Sequence, residues 1–498
     1  MKSLLRGSIF LAVVLLISKL IGFVYRMLFT RIAGETAVGI YMTVYPTFIF
    51  FIAVVQLGLP IAITRLVAQY HAVGKRDAVN AVLKKGLKIS LISVVCWFPI
   101  LVIVSPYIAT TLLHNEDALY TILVAVAAIP IVVLAGVYRA YLQGIDKLST
   151  TAWGTLLEQA VRLTLIAVLL PLTIGLSHAL VAAATMGITA LAEISSLLFS
   201  YFFYMRYRTT TTQSYNLSVG ALFHTALPSA GSKLFGSFTW FLEPIIFLYA
   251  LTRSGLTATS ATTAYGIVSN VHIPLLLFPA FIPQALAIAL IPSLSSLQAT
   301  RNFTQINQQL QETVRVCSVI GCYAVAIFFI CGDFLATRLF HIEQLNWIKL
   351  LAPIFFFYYI QSPLHSVLQA LNLAHIAMKN SIIGGCLKLV CLFALASHPS
   401  LQISGAIIAI GIGVVVTSFM HVASVQSIPN VHLKWSTFLV PFIVFLLCIT
   451  ISSAFPTLQL QLSVVIGTLT VCLIVTRQIR FSDFLLIKQL FQRFTLNK

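Results

Sequence analysis

SIFLAVVLLISKLIGFVYRMLF, residues 8–29, is an apolar run interrupted by one lysine near its middle, Lys19, and one arginine near its end, Arg26. An α-helix needs about 20 predominantly apolar residues to cross a bilayer, and this run supplies them. Its basic lead-in, MKSLLRG, has the look of a secretory leader, but the run continues past Lys19 to Phe29 with no small-residue cleavage site inside it. It is therefore expected to be a permanent first span. Runs of the same kind follow, split by short polar breaks. The length rule gives about 14 spans, near 8–29, 37–60, 87–109, 119–141, 152–172, 178–204, 221–250, 263–291, 314–332, 349–371, 381–397, 403–423, 435–455 and 461–477.

Composition points to the same class. Of 498 residues, 59% are hydrophobic and only 8% charged, and mean hydropathy is +1.00. A soluble core of this size cannot hide so much apolar side chain. Strands of a membrane barrel would be shorter and would alternate apolar with polar residues. The expected class is all-α integral membrane, with no soluble domain. The net charge of +18 is spread thinly over membrane-edge loops, unlike the basic face of a nucleic-acid binder. With the N-terminus in the cytoplasm, Lys75, Arg76, Lys84, Lys85, Lys88, Arg206, Arg208, Arg301, Lys434, Arg477, Arg480, Lys488, Arg493 and Lys498 fall inside. Arg31, Arg253, Arg338 and Lys349 fall outside. The positive-inside rule then places both termini in the cytoplasm. All 8 cysteines lie in apolar spans with no Cys-x-x-Cys pair, and read as small core hydrophobes.

The chain repeats itself. SKLIGF at Ser18 returns as SKLFGS at Ser232, so that Lys233 echoes Lys19. TAVGIY at Thr36 returns as TAYGIV at Thr263 (263 − 36 = 227), and ATTLLHNE at Ala109 as ATRLFHIE at Ala336 (336 − 109 = 227). Asn80 and Leu83 match Asn307 and Leu310, and Lys88 matches Arg315, at the same offset. Arg162 matches Lys388 at an offset of 226 (388 − 162). About six spans per copy keep both copies in one orientation, a parallel repeat about an axis along the membrane normal. The expected organisation is a six-helix lobe over 1–208, a second over 209–430, a central cavity, and two extra spans with a cytoplasmic tail over 431–498. The eighth span carries Pro274, Pro279, Pro283 and Pro292. Proline removes a helical hydrogen bond and kinks the rod, which allows either a static bend or a hinge.

Ionisable groups within spans are costly and are functional candidates by default. Lys19 and Arg26, seven residues apart, share one helix face. Lys19 lies roughly 16 Å into its helix at 1.5 Å per residue, too deep to snorkel easily; Arg26 has that alternative. Glu158 sits one turn before Arg162, the spacing of an internal ion pair, whereas Lys388 has no such neighbour. Glu193 is a mid-span candidate for a proton or cation site, or equally a protonated, structurally hydrogen-bonded carboxyl; Glu158 and Glu243 are the other acids within spans. His114-x-Glu116 and His341-x-Glu343 put two ligand types in each of two outer loops, too few for a metal site, and a solvated loop is the expectation. No Walker loop, dinucleotide glycine motif or metal cluster is present, so no cofactor or metal is expected and the energy must come from an ion, potential or substrate gradient. Duplicated basic charge in the membrane favours an anionic substrate.

Four stretches carry a resemblance: SKLIGFVYRMLFTRIAG, GVYRAYLQGIDKLSTTAWGTLLEQAVRL, the proline-rich YGIVSNVHIPLLLFPAFIPQALAIALIPSLS, and LAPIFFFYYIQSPLHSVLQALNLAHIAMKN. They resemble the stage V sporulation protein B family of the multidrug/oligosaccharidyl-lipid/polysaccharide exporter superfamily, related to the MurJ-type lipid II flippases. The resemblance runs to about residue 425. It implies a two-lobed transporter, not an enzyme, that moves a polyprenyl-pyrophosphate-linked saccharide such as a peptidoglycan precursor for cell wall or spore cortex. Its partners would be that substrate, membrane lipids and cell-wall synthesis enzymes, without nucleic acid. Basic first-span residues line the cavity of such flippases, so Lys19 and Arg26 inherit a substrate-binding role. Those flippases also carry arginines in the second and eighth spans; here the second has no charge and the eighth offers Asn270 and His272, leaving Lys233 to supply charge from the second lobe. Three other readings are open to the sequence. A multidrug/cation antiporter of the same superfamily would need acids where this chain has lysines. A membrane glycosyltransferase would need a site around Glu116, Asp117, Asp333 and Glu343, where no large loop exists. A cell-wall scaffold would need no such site.

Overall fold

The computed structural model describes residues 2–208, 215, 217–342, 346–452 and 454–480. Glu343, Lys488, Arg493 and Lys498 lie outside the described residues. Every regular element among the described residues is helical, as lipid demands of a chain that must satisfy its own backbone. Eleven described helical stretches are long and apolar enough to cross a membrane. One of them, Leu16–Gln56, is 41 residues long and overlaps both of the first two predicted spans. These form one element, α1 (Lys2–Gln56), bent at Gly34, whose φ of 77° and ψ of 165° leave the helical region. A single glycine in the left-handed half of φ space is the whole connection.

After α1, Leu57 and Gly58 both take positive φ, and Pro60 opens the short helix α2 (Leu59–Ala72). Its apolar residues Leu59, Ala62, Ile63, Leu66 and Val67 recur at helical spacing and are buried. They pack against α3 (Arg76–Tyr107) and α4 (Ala118–Gly144) at glycines. A Cβ on Gly86 would lie 2.7 Å from Ile63 Cδ1, and one on Gly144 would lie 2.6 Å from Val67 Cβ. The predicted second span thus ends early, and its last residues start a separate packed helix. Then follow α5 (Leu148–Leu169), α6 (His178–Tyr207), α7 (Val219–Arg253) and α8 (Ala258–Ile267).

The eighth predicted span is broken. A π turn, Val268–His272, follows α8, and Pro274 removes the helical donor of the Asn270 carbonyl. Short α9 (Ile273–Leu277) and a tight turn at Phe278–Ala280 lead into α10 (Phe281–Ala299). The remaining helices are α11 (Phe303–Phe340), α12 (Trp347–Ala370), α13 (Ala374–Ala396), α14 (Gln402–Gln426), α15 (Ser436–Ser452) and α16 (Leu458–Val475). α12 and α15 stand where the tenth and thirteenth spans are expected.

The described residues fall into two compact units. One lies within Met1–Leu275, Leu339–Ile342 and Leu389–Ala406, the other within Leu276–Arg338, Glu343–Lys388 and Ile407–Lys498. The chain passes from the first to the second at Leu275–Leu276, inside the proline stretch. In the second unit, stacked Phe356 and Phe442 (5.0 Å between centroids) and tilted Phe357 and Phe419 (5.3 Å) join α12 to α14 and α15. There the Tyr359 hydroxyl donates to the Leu276 carbonyl at 2.7 Å.

The repeat offset recurs in the backbone. His114 and His341 both take left-handed φ, 49° and 57°, as do Gly74 and Arg301 at 70° and 54°; both pairs are 227 apart (341 − 114; 301 − 74). α3 and α11 begin 227 apart (303 − 76), and α5 and α13 begin 226 apart (374 − 148). Within the first unit the repeat-equivalent glycines Gly39 and Gly266 (266 − 39 = 227) meet. A Cβ on Gly39 would lie 2.5 Å from the Thr262 carbonyl oxygen, and one on Gly266 would lie 2.5 Å from Gly39 Cα. The second arm of α1 and α8 therefore touch backbone to backbone. Such contact between small residues holds membrane helices together where water supplies no hydrophobic drive.

Candidate functional site

The first unit carries a polar tract through otherwise apolar packing. It begins on α1. Arg26 Nη1 donates to Asn270 Oδ1 at 3.1 Å, Asn270 Nδ2 donates to Thr30 Oγ1 at 2.9 Å, and the Thr30 hydroxyl donates to the Arg26 carbonyl at 2.9 Å. Asn270 stands on the π turn of the eighth span, 1% exposed. Two residues marked separately in the sequence are thus partners: the turn forced by Pro274 delivers an amide to the first-span arginine. π turns often mark functional positions. His272, on the same turn, is also buried.

One residue before Arg26, the Tyr25 ring lies 5.8 Å below the Arg162 guanidinium. Tyr25 and Tyr41 hydroxyls are 3.5 Å apart, and Tyr41 bonds Thr189 at 3.1 Å. Arg162 Nη2 donates to Glu158 Oε1 at 2.9 Å. Arg139 Nη2 stands 3.3 Å from Glu193 Oε2, 3.9 Å from Glu158 Oε2 and 3.2 Å from Ser196 Oγ. Two arginines and two glutamates form a charge-balanced quartet across α4, α5 and α6. Glu158–Arg162 follows from its i, i+4 spacing. Nothing in the local sequence marks Arg139, because its partners Glu158, Glu193 and Ser196 stand on other helices. Glu193 is ion-paired to Arg139.

A cavity of about 250 Å³ opens beside the quartet, lined by Gln56, Pro60, Thr64, Gly136, Arg139 and Glu193 among others. A Cβ on Gly136 would lie 2.9 Å from Gln56 Nε2, so glycine there leaves room for the amide. Gln56 Oε1 in turn accepts from Lys233 Nζ at 3.0 Å. Lys233 is exposed and Lys19 half-buried. Arg26 and Lys233 share a property that sets them apart from the quartet: each is held by a neutral amide, which positions the side chain without cancelling its charge. Such a cation is preorganised for an anion.

Lys388 belongs to the second unit. Its stem packs on Gly413 of α14, where a Cβ would lie 2.8 Å from Lys388 Cβ. Glu243 is buried in α7. His114 and His341 close helices in left-handed backbone conformations, and among the described residues no group of three or more His, Cys, Asp or Glu could hold a metal.

Residues 4–298 match the family described as polysaccharide biosynthesis protein. Stage V sporulation protein B of Bacillus subtilis (strain 168) is 32% identical over 462 residues, 91% of this chain and 89% of that protein. Lipid II flippase MurJ of the same organism is 24% identical, over 82% of this chain and 80% of that protein. An inward-facing structure of a multidrug resistance MATE family transporter of the MOP superfamily shares the fold, with a TM-score of 0.69 at 14% identity over 80% of this chain and 92% of that one. With a family match over more than half its length and a sporulation-protein relative over nine-tenths of it, this multi-pass membrane chain belongs to the polysaccharide biosynthesis protein family, alongside stage V sporulation protein B.

Proposed function

We propose that the protein is a flippase for a lipid-linked glycan pyrophosphate, with a peptidoglycan precursor such as lipid II as the leading substrate. The observation that carries this reading is the pair of cations, Arg26 and Lys233, held on the neutral amides of Asn270 and Gln56. Neither amide competes for charge, so a pyrophosphate adds ion pairs without breaking any. Lys19, seven residues before Arg26 on the same helix face, extends the basic stripe. The quartet is charge-neutral and acts as the rigid frame behind it. The likeness to a protein named lipid II flippase supports the substrate class.

In this reading the two sequence repeats, over 1–208 and 209–430, act as rocking lobes. The proline stretch around Leu275–Leu276 is a bend within the second repeat, and the positive-inside distribution favours both termini in the cytoplasm. The headgroup enters from the cytoplasm, meets the cations and leaves on the outer side while the polyprenyl tail stays in lipid. None of these steps makes or breaks a covalent bond, so the protein is not an enzyme.

The test is transbilayer movement of fluorescent lipid II in proteoliposomes, read with a probe confined to the outside. Hydrogen bonds to charged groups contribute about 1.5–3 kcal/mol each, or roughly ten- to a hundredfold at 1.4 kcal/mol per decade. Arg26→Ala and Lys233→Ala are each expected to slow flipping by at least about tenfold, and the double variant, with or without Lys19→Ala, to abolish it. Wild-type flipping by the double variant would remove the proposed site.

A further inference from the structure

A polar cavity lies within the second unit. It measures about 470 Å³, within the range that holds small ligands, and four of its lining side chains are Arg315, Lys434, Arg477 and Arg480, against the single carboxylate of Glu312. We propose that it binds the phosphate headgroup of an anionic phospholipid.

The cavity is built by fastening two chain segments onto the first turns of α11. Asn307 Nδ2 donates to the Asn430 carbonyl at 2.8 Å, and Asn307 Oδ1 accepts from the His432 backbone N–H at 2.8 Å. Gln311 Nε2 donates to the His432 carbonyl at 3.2 Å. These bonds carry Lys434, Ser436 and Thr437 to one wall. On the other side Arg315, 7% exposed at the floor, donates to the Gln478 carbonyl, which fixes the turn bearing Arg477 and Arg480. The rim cations Lys434, Arg477 and Arg480 are exposed. Arg315 is the repeat equivalent of Lys88, but its three cationic neighbours lie beside α15 and α16, outside the duplicated region. The cavity therefore belongs to the added helix pair.

Three observations favour a lipid over a free phosphate ion. Trp435, 47% exposed, stands between Lys434 and Ser436 of the wall; tryptophan concentrates at the headgroup level of a bilayer. Ile474 and Val475, 50% and 75% exposed, directly precede Thr476 and Arg477 of the lining, so acyl chains can lie along α16 while the phosphate sits in the cavity. Basic pockets between membrane helices suit such headgroups, and the charge bias assigns this side to the cytoplasmic leaflet.

The test uses the full-length purified protein and native mass spectrometry of retained lipid, with phosphatidylglycerol as probe and phosphatidylcholine as reference. Wild type is expected to retain one phosphatidylglycerol in preference to phosphatidylcholine. Lys434→Gln/Arg477→Gln/Arg480→Gln, confined to exposed side chains, is expected to weaken that binding at least tenfold, and Arg315→Gln to act in the same direction. Lys75→Gln/Arg76→Gln/Lys147→Gln, removing three cations from the first unit, is expected to leave it unchanged. Equal loss in this control would mean a diffuse surface field and would overturn the site, as would undiminished binding by the rim variant. Displacement of the lipid by millimolar inorganic phosphate would assign the cavity to a free ion and overturn the lipid.

Discussion

Valine at Gly39 or at Gly266 is expected to abolish folded protein in the membrane. Each glycine is the repeat equivalent of the other, and each has the opposite helix's backbone within 2.5 Å of where a Cβ would be. Backbone atoms cannot move aside as the tip of a flexible side chain can, so the helices themselves must part. Overpacking costs about 1–3 kcal/mol even where side chains can adjust, and here the added atoms also break the close approach that joins the two helices. Alanine should lower the melting temperature in detergent, and valine should eliminate the monodisperse peak on fluorescence-detected size exclusion. Because both substitutions open one crossing, Gly39→Ala/Gly266→Ala should destabilise by less than the sum of its parts. Wild-type melting of Gly39→Val would show that the helices are not in backbone contact.

The second large effect is expected at the quartet. Glu158 is 5% exposed and bonded to Arg162 at 2.9 Å. Removing one partner of a buried pair leaves an uncompensated charge, at about 3–5 kcal/mol, whereas replacing both with apolar residues is often near neutral. Glu158→Leu and Arg162→Leu alone should therefore each destabilise strongly, and the double Leu variant should recover most of the loss. Arg139 also approaches Glu158, at 3.9 Å, which keeps the recovery incomplete. Thermal unfolding of the four proteins gives the cycle; additive losses would mean that the pair has no structural coupling.

Much of this was legible in the chain. Apolar run length and the near absence of charge dictate an all-helical membrane protein, and the 227-residue offset pairs Gly39 with Gly266 as repeat equivalents, though only the structure brings them together. The i, i+4 spacing gives Glu158–Arg162. What the sequence hides is tertiary. No local signal ties Arg26 to Asn270, 244 positions away, because the pairing depends on a π turn and the placement of a helix. Gln56 looks like an ordinary polar residue ending an apolar run, yet it holds Lys233 and lines the cavity. Arg139 resembles an interfacial anchor until α6 brings Glu193 to it. The first two spans read as separate helices because the polar stretch TRIAGET, residues 30–36, divides them, whereas the backbone leaves the helix only at Gly34.

Cations fixed on neutral amides are expected to select a pyrophosphate. The most direct measurement is transport in proteoliposomes of three polyprenyl lipids bearing the same fluorescent headgroup through a pyrophosphate, a monophosphate or a neutral linkage. The wild-type protein should move them in that descending order, and Arg26→Gln/Lys233→Gln should erase the order by slowing the pyrophosphate lipid most. Equal wild-type rates for all three lipids, or an order preserved in the variant, would contradict the account.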